Sequence, residues 1–400
     1  MSVTVIGVTA AGDLAVGGEE PLRAADVVVG ARRHLDLVPG GPTDRRLLPT
    51  PLQPGLADLL GSLAGCRVAV LASGDPLVSG IGTTVLDLLG PERVRVVPAV
   101  SSVALARARM GWSAEESAVV TLVGRHESRL LREVAPGRRL LVLTSGAATP
   151  SVVADLLVAT GYGDTTVTLL SDLGAASEGR DTRPARAWVD ASGCPPLHVL
   201  ALEVGAGVAH VPAQSAWVAG LPDEAYESDG QLTRRDLRAS ALARLAPRPG
   251  EHLWDVGAGA GSVGIEWMRA HPTCRTTAIE ASPERAARVR RNASKLGVPD
   301  LEVIEGRAPD ALAALGAPDA IFIGGGATRV GVLDTCLAAL RPNGRLVVHG
   351  VTLETEALLA AAYTTHGGEL TRLATETSAP VGTFTGWTPA RTVTQWCLWR

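Results

Sequence analysis

The sequence predicts an α/β protein in two unlike parts, and three observations carry that prediction. Residues 253–266 form an apolar run ending near Asp255, then turn through alternating glycines into a helical pattern: a strand, a tight loop and a helix start. The first two hundred residues also alternate strand-like and helical runs, but with different loops, so they are not a copy of that unit. Between the two, residues 205–222 lose regular periodicity and carry Gly and Pro punctuation. The expected division is a domain over 1–204, a linker over 205–222 and a second domain over 223–400.

In the first domain, strands are expected at 3–7, 26–29, 67–72 and 94–97 with helices between them, a parallel arrangement. A second set at 118–123, 140–143, 165–170 and 197–203 follows a helix around Ala104 and Met110. The loops at 72–76, 79–82, 97–102 and 122–125 lie where strands run into helices, the edge at which open α/β sheets bind ligands. Gly7, Gly74, Asp75, Gly80, Ser101 and Ser102 are the candidate cofactor contacts there.

In the second domain, Gly257, Gly259 and Gly261 let the backbone take positive φ and approach a ligand closely. The N–H groups that open the following helix are expected to serve as donors to a negative group. Gly259, Gly261 and Gly264 also satisfy the dinucleotide fingerprint G-x-G-x-x-G. A second strand over 276–280 ends in Glu280, about 20 residues past the loop, where a carboxylate can accept from both ribose hydroxyls. Nicotinamide and S-adenosylmethionine (SAM) enzymes share that device. The runs 319–326 and 340–349 favour SAM: the second reads as a helix end, a turn and a strand, a phrase typical of SAM-dependent methyltransferases.

With residues 305–310 and 351–355, this half resembles the decarboxylating precorrin methyltransferases of the CbiT type, which implies a Rossmann-like class I SAM methyltransferase domain. The N-terminal loops, with residues 26–35, resemble the CbiE branch of the tetrapyrrole methylase family, implying two α/β subdomains with SAM in the cleft between them. Thr9 stands where that family usually has glycine, so it either crowds the cleft or alters the turn. The order of the halves is that of the CobL-type bifunctional enzymes. It implies methylation of an anionic tetrapyrrole, precorrin-6Y, at C5 by the N-terminal half. Methylation at C15 and decarboxylation of the ring C acetate then fall to the C-terminal half, with precorrin-8 as product in cobalamin (corrin) biosynthesis.

The resemblance places cofactor contacts at Thr233, Gly257, Ala258, Gly259, Ala260, Gly261, Glu280 and Ala308. Thr233 is either a helix N-cap or a ligand of the methionine carboxylate. Asp255 either accepts loop N–H groups or meets the cofactor's amino group, and Ala308 either borders adenine or is plain packing. Gly324, Gly325 and Gly326, after the fourth strand, are the acceptor-site candidates, against the reading of a flexible turn. Methyl transfer from a sulfonium needs alignment and exclusion of water, so no catalytic dyad or metal is expected.

Composition sets outer limits. Hydrophobic residues make up 46% of the 400, enough for sizeable cores, and no stretch reaches an uninterrupted membrane-spanning length. A cytoplasmic, non-membrane protein that forms a homo-oligomer is expected. The formal net charge of −4 argues against general nucleic-acid binding. Five scattered cysteines without metal-ligand spacing read as buried thiols. Lys295 is the sole lysine beside 36 arginines, so Schiff-base chemistry is disfavoured and an anionic substrate has to be held by guanidinium groups. Arg32 and Arg33 form one such pair, although any single pair is more often a solvated face. The alternative of another class is a nicotinamide-dependent oxidoreductase carrying a SAM-binding regulatory domain. His34 and His126 are not singled out for chemistry, and the tryptophans at 254, 267, 387, 396 and 399 are expected to pack.

Overall fold

A computed structural model of the chain describes residues 2–205 and 216–400, so most of the expected linker lies outside the described residues. The chain divides into two compact units: Met1–Glu127 with Pro136–Val208, and Ser128–Ala135 with Ala209–Arg400.

The first unit holds two sheets. Strands β1 (Ser2–Val8), β2 (Val27–Gly30), β3 (Arg45–Leu47), β4 (Arg67–Ser73) and β5 (Val94–Val97) form an all-parallel sheet in the order β3-β2-β4-β1-β5. Val27, Val28 and Val29 are all buried, as expected of a parallel strand covered on both faces. The second sheet runs β6 (Ser117–Thr121), β7 (Arg139–Leu143), β10 (His198–Glu203), β8 (Thr166–Ser171) and β9 (Gly179–Pro184). Only its β6–β7 pair is parallel. The edge strands β3 and β9 were not anticipated. Both are mostly polar, β3 half-buried and β9 largely exposed, so neither carries the apolar signal that marks a strand in sequence. The helix Ser102–Met110 shows how local chemistry sets an element's limits. Ser101 Oγ accepts from Ala104 N at 3.1 Å to cap its start, and Gly111 ends it at φ 66°.

The second unit is built on one seven-stranded sheet. Strands β11 (His252–Val256), β12 (Arg275–Glu280), β13 (Glu302–Glu305), β14 (Ala320–Ile323) and β15 (Arg345–Gly350) are parallel, and β16 (Glu369–Leu373) and β19 (Val393–Trp399) complete it. The order is β13-β12-β11-β14-β15-β19-β16, with β19 antiparallel to both neighbours. Its two faces bury separate cores. One contains Trp267, Phe322 and the helix residues Ala241, Leu242 and Leu245. The other contains Trp254, Trp396, Val332 and Leu359. Leu221, placed in the linker by its sequence, is already part of the first of these cores. The strands β17 (Glu376–Val381) and β18 (Phe384–Pro389) pair only with each other. Trp387 on that hairpin is 72% exposed and Trp399 is 51% exposed, against the expectation that both pack. Trp387 stands on the two-stranded hairpin, outside the seven-stranded sheet, and Trp399 lies at the end of β19.

Candidate functional site

The second unit carries a cavity of about 470 Å³ along the carboxyl ends of its parallel strands. Its wall takes Gly257–Gly259 after β11, Glu280 at the end of β12 and Arg307 and Ala308 beyond β13. Gly324–Gly326 after β14, His349 and Val351 at the end of β15, and Val393 opening β19 follow. Strand order therefore separates the wall into a β11–β12–β13 half, where the expected cofactor contacts gather, and a β14–β15–β19 half.

Thr233 lines the cavity, and its hydroxyl makes no hydrogen bond among the described residues. It is not the N-cap: the helix Arg235–Leu245 is preceded by Arg234, which makes no side-chain cap. What fixes Thr233 is a fully buried arginine. Arg238 donates from Nη1 to the Thr233 carbonyl at 2.6 Å and from Nε to Glu266 Oε1 at 2.6 Å, and its Nη2 meets the Leu221 carbonyl. Glu266 also accepts from Gly220 N, Leu221 N and the Tyr226 hydroxyl. The guanidinium and carboxylate are thus fully bonded to one another and to backbone, the condition under which a buried ion pair is tolerable.

The glycine loop differs from its sequence expectation in an instructive way. Gly257 N and Ala258 N both donate to the Ile279 carbonyl, at 3.0 and 3.2 Å. Gly259 N donates to Glu280 Oε2 at 2.9 Å, Gly261 N to the Ala258 carbonyl at 2.8 Å, and Gly264 N to Asp255 Oδ2 at 3.0 Å. The N–H groups of Gly257, Ala258 and Gly259, the loop residues that line the cavity, are thus already satisfied, so at the wall the loop contributes shape and not donors. The glycines are required by the fold itself. A Cβ on Gly257, at φ +71°, would sit 2.9 Å from the Gly325 carbonyl oxygen, and one on Gly259 would sit 2.7 Å from that of Gln231. Gly264 fits the dinucleotide fingerprint because the helix passes close to Thr276 and Asp255.

For three of the expected contacts this geometry shows a structural role. Asp255 is buried beneath the loop and outside the cavity wall, where its carboxylate anchors the helix through Gly264. Burial pushes its carboxyl up to about 7, the Gly264 N–H draws it back, and the nearby Glu280 charge adds to the rise. Ala260 and Gly261 are likewise absent from the wall, since Ala260 is buried and Gly261 turns the chain into the helix Ser262–Ala270. Glu280 does reach the cavity. Its oxygens accept from Gly259 N and Ser282 N, each at 2.9 Å, which orients the carboxylate while each oxygen keeps a further lone pair for a ligand hydroxyl.

Nothing lies within 4 Å of a Cβ built on Gly325 or Gly326, so this part of the wall is open space. Beside it stands a residue the sequence reading missed. His349 is 8% exposed, its ring edge-on to Phe322 at 5.0 Å, and its Nε2 lies 2.9 Å from Gln395 Oε1 across the β15–β19 register. Burial holds its pKa at about 4, with the Gln395 bond opposing, so the ring is neutral at physiological pH. Within an apolar strand, only its parity on β15 could have signalled it.

The first unit has its own cavity, about 540 Å³, lined from both sheets: Val8–Ala10 after β1, Ser73 and Gly74 after β4, Asp172 after β8 and Leu197–Val199 at β10. Gly74, Gly80 and Ser102 line it as expected, whereas Gly7, Asp75 and Ser101 do not. Gly7 is a close-packing point, because a Cβ there would meet the Gly74 carbonyl oxygen at 2.2 Å. Asp75 accepts from Leu77 N at 2.9 Å to make a turn, and Ser101 is spent on its helix cap. Thr9 reaches the cavity and closes a turn by accepting from Asp13 N at 3.0 Å. Among the described residues no group of three or more His, Cys, Asp or Glu is arranged to hold a metal, and no helix is long and apolar enough to cross a membrane.

Two family models divide the chain along these lines. Tetrapyrrole (corrin/porphyrin) methylases match residues 3–180, and the precorrin methyltransferase domain matches residues 224–400. Fold and families thus define two methyltransferase domains in one chain. Over 98% of its length the chain is 42% identical to 95% of a decarboxylating precorrin-6Y C(5,15)-methyltransferase of Sinorhizobium sp. A protein of the same name from Mycobacterium tuberculosis (strain ATCC 25618 / H37Rv) is 41% identical over 99% of both chains. The chain belongs to the decarboxylating precorrin-6Y C(5,15)-methyltransferase family. Among solved structures, the C-terminal domain of precorrin-6Y C5,15-methyltransferase from Rhodobacter capsulatus is 40% identical, with a TM-score of 0.44, covering 46% of this chain and all of that one.

Proposed function

We propose that the chain uses SAM to methylate precorrin-6Y at C5 and C15 and removes the ring C acetate carboxylate as carbon dioxide, yielding precorrin-8. The observation that carries this reading is the near full-length match to relatives of that name, both domains included. The two halves divide the work: the first unit serves C5, and the second serves C15 and the decarboxylation.

In the second unit the donor set suits SAM better than a dinucleotide. A pyrophosphate needs free N–H groups at the glycine loop, and those of Gly257, Ala258 and Gly259 are engaged within the protein. A ribose needs a carboxylate, which Glu280 provides, and the unbonded Thr233 hydroxyl suits the methionine end. Ala308 borders the adenine. SAM when bound supplies an electrophilic methyl on a neutral leaving group. The chain's own part is to align the macrocycle over the open surface of Gly325 and Gly326 and to shield it from water. The substrate's conjugated ring accepts the electron pair left by carbon dioxide.

The test is mass spectrometry of products from the full chain supplied with tetrapyrrole and SAM. Wild type is expected to add two methyl groups and lose one carbon dioxide. Gly259→Val, which drives a branched side chain toward Gln231 at positive φ, should retain C5 methylation and lose C15 methylation and decarboxylation. Decarboxylation at the wild-type rate by that variant overturns the division of labour. Calorimetric titration with NADP and SAM separates the oxidoreductase alternative, which requires the former to bind.

A further inference from the structure

The first unit's cavity contains a cation without a counter-ion. Arg33, on the short helix Arg32–Leu37, is partly buried in the cavity wall. Its Nη2 donates to Ser73 Oγ at 3.0 Å and lies 2.9 Å from His34 Nε2, which is itself 3.0 Å from Ser73 Oγ. The three groups form a closed triangle. Because guanidinium nitrogens only donate, His34 Nε2 must accept, and the imidazole is therefore neutral. Burial and the adjacent Arg33 charge hold the His34 pKa at about 4, in keeping with that assignment.

Neither partner neutralises the guanidinium. Among the described residues no carboxylate lies within ion-pair distance of Arg33; Asp172, on the same cavity wall, acts on it only through space. Asp13, also in the wall, is engaged with Thr9. Buried arginines of the second unit such as Arg238, paired with Glu266, and Arg345, paired with Glu251, are placed otherwise. A partly desolvated guanidinium held in one orientation by neutral groups and facing a cavity lined by Val8, Leu71, Val78, Leu105 and Leu170 is arranged for an incoming anion.

We propose that Arg33, oriented by Ser73 and His34, is the carboxylate-binding residue of the first unit's cavity. This rests on the function proposed above, which brings two carriers of that chemistry: the acidic side chains of the macrocycle and the amino-acid end of SAM. Ser73 and His34 are positioning residues, and the planar fork of Arg33 makes the contact.

The test uses the full chain with Arg33→Met, an apolar replacement of similar length suited to the cavity, and Arg33→Lys, which keeps charge without the fork. Binding is read by equilibrium titration with the tetrapyrrole and with SAM, each in the Gly259→Val background so that the first unit reports. Loss of a charged hydrogen bond predicts roughly a 10- to 150-fold weaker affinity for Arg33→Met, with Arg33→Lys between it and wild type. Weakened tetrapyrrole binding with unchanged SAM identifies the macrocycle as the source of the carboxylate, and the reverse identifies SAM. In the otherwise wild-type chain, C15 methylation and decarboxylation should be unchanged. Affinities for both ligands within twofold of wild type in Arg33→Met, or an equal loss of C15 methylation, overturn the proposal. A wild-type chain that makes no C5-methylated product defeats the functional reading instead, and the two titrations still decide Arg33.

Discussion

The two cavities occupy the same kind of place, the carboxyl edge of parallel strands, but present opposite charge to it. In the second unit the buried ligand-facing group is the Glu280 carboxylate, held by two backbone N–H groups. In the first, the charged group proposed to meet the ligand is the half-buried Arg33 guanidinium, held by a hydroxyl and a neutral imidazole. A carboxylate fixed by N–H donors suits sugar hydroxyls, and a cation fixed by neutral acceptors suits acids. The contrast also reaches the framework. The second unit secures its site with a fully bonded buried network, Arg238 with Glu266, whereas the first secures its loops with single turns and caps such as those of Asp75 and Ser101.

The sharpest way to break this comparison is to remove the network. Arg238→Met leaves Glu266 buried without its ion, and should cost about 3–5 kcal/mol in the second unit alone. Denaturant unfolding followed by a probe in each unit should then show one transition moved and the other fixed; equal movement of both would show that the units are not energetically separate.

Asp255 comes next. A carboxyl held near 7 when folded but near its ordinary value when unfolded binds its proton more tightly in the folded state. Its stabilising contribution is complete below about pH 4 and is lost as the pH rises through about 7. Relative to wild type, Asp255→Asn should gain stability across that window, on the order of a few kcal/mol. A constant difference between the two proteins from pH 4 to 8 would refute the assignment. Taking the difference is necessary because His349, with its depressed pKa, slopes the other way between about 4 and 6.5.

For Glu280→Ala, SAM affinity in the second unit should fall by about 1.5–3 kcal/mol, roughly 10- to 150-fold, by calorimetry. An unchanged dissociation constant sinks the ribose assignment. Thr233→Val is the finest probe. Since the hydroxyl has no partner among the described residues, thermal stability should hold while SAM affinity drops by about 0.5–1.5 kcal/mol. Equal affinity would remove Thr233 from the site.

Much of the second unit was legible because its chemistry is contiguous: one loop, the carboxylate ending the next strand, and a Gly run ending the fourth. What misled was the role of the individual atoms. Positive φ at Gly257 and Gly259 was readable from the glycines, but the partners of their N–H groups depend on Ile279 and Glu280, supplied by a neighbouring strand. Asp255 stayed open between holding backbone N–H groups and meeting the cofactor, because the choice depends on the helix start that returns over β11 and places Gly264 N on its carboxylate. In the first unit the cavity draws on residues from Val8 to Val199, so that Gly74, Gly80 and Ser102 reach its wall while Gly7, Asp75 and Ser101 do not. No spacing rule links Arg33 to Ser73. Their meeting follows from β2 pairing with β4, a long-range fact that sequence periodicity does not contain.

The position of β19 has a consequence for synthesis. Residues 393–399 lie between β15 and β16, so β16 has no partner and β15, paired on its other side with β14, keeps one open edge until that stretch has left the ribosome. A nascent chain stopped earlier would already possess the glycine loop, Glu280 and Thr233, yet show β15 as a bare edge, the kind of surface that recruits other chains. It would also lack Val393 and the Gln395 partner of His349. The residues proposed to hold the methyl donor are thus translated well ahead of the wall that closes the other half, and interrupted translation would leave them in a chain whose sheet ends in an unpaired edge.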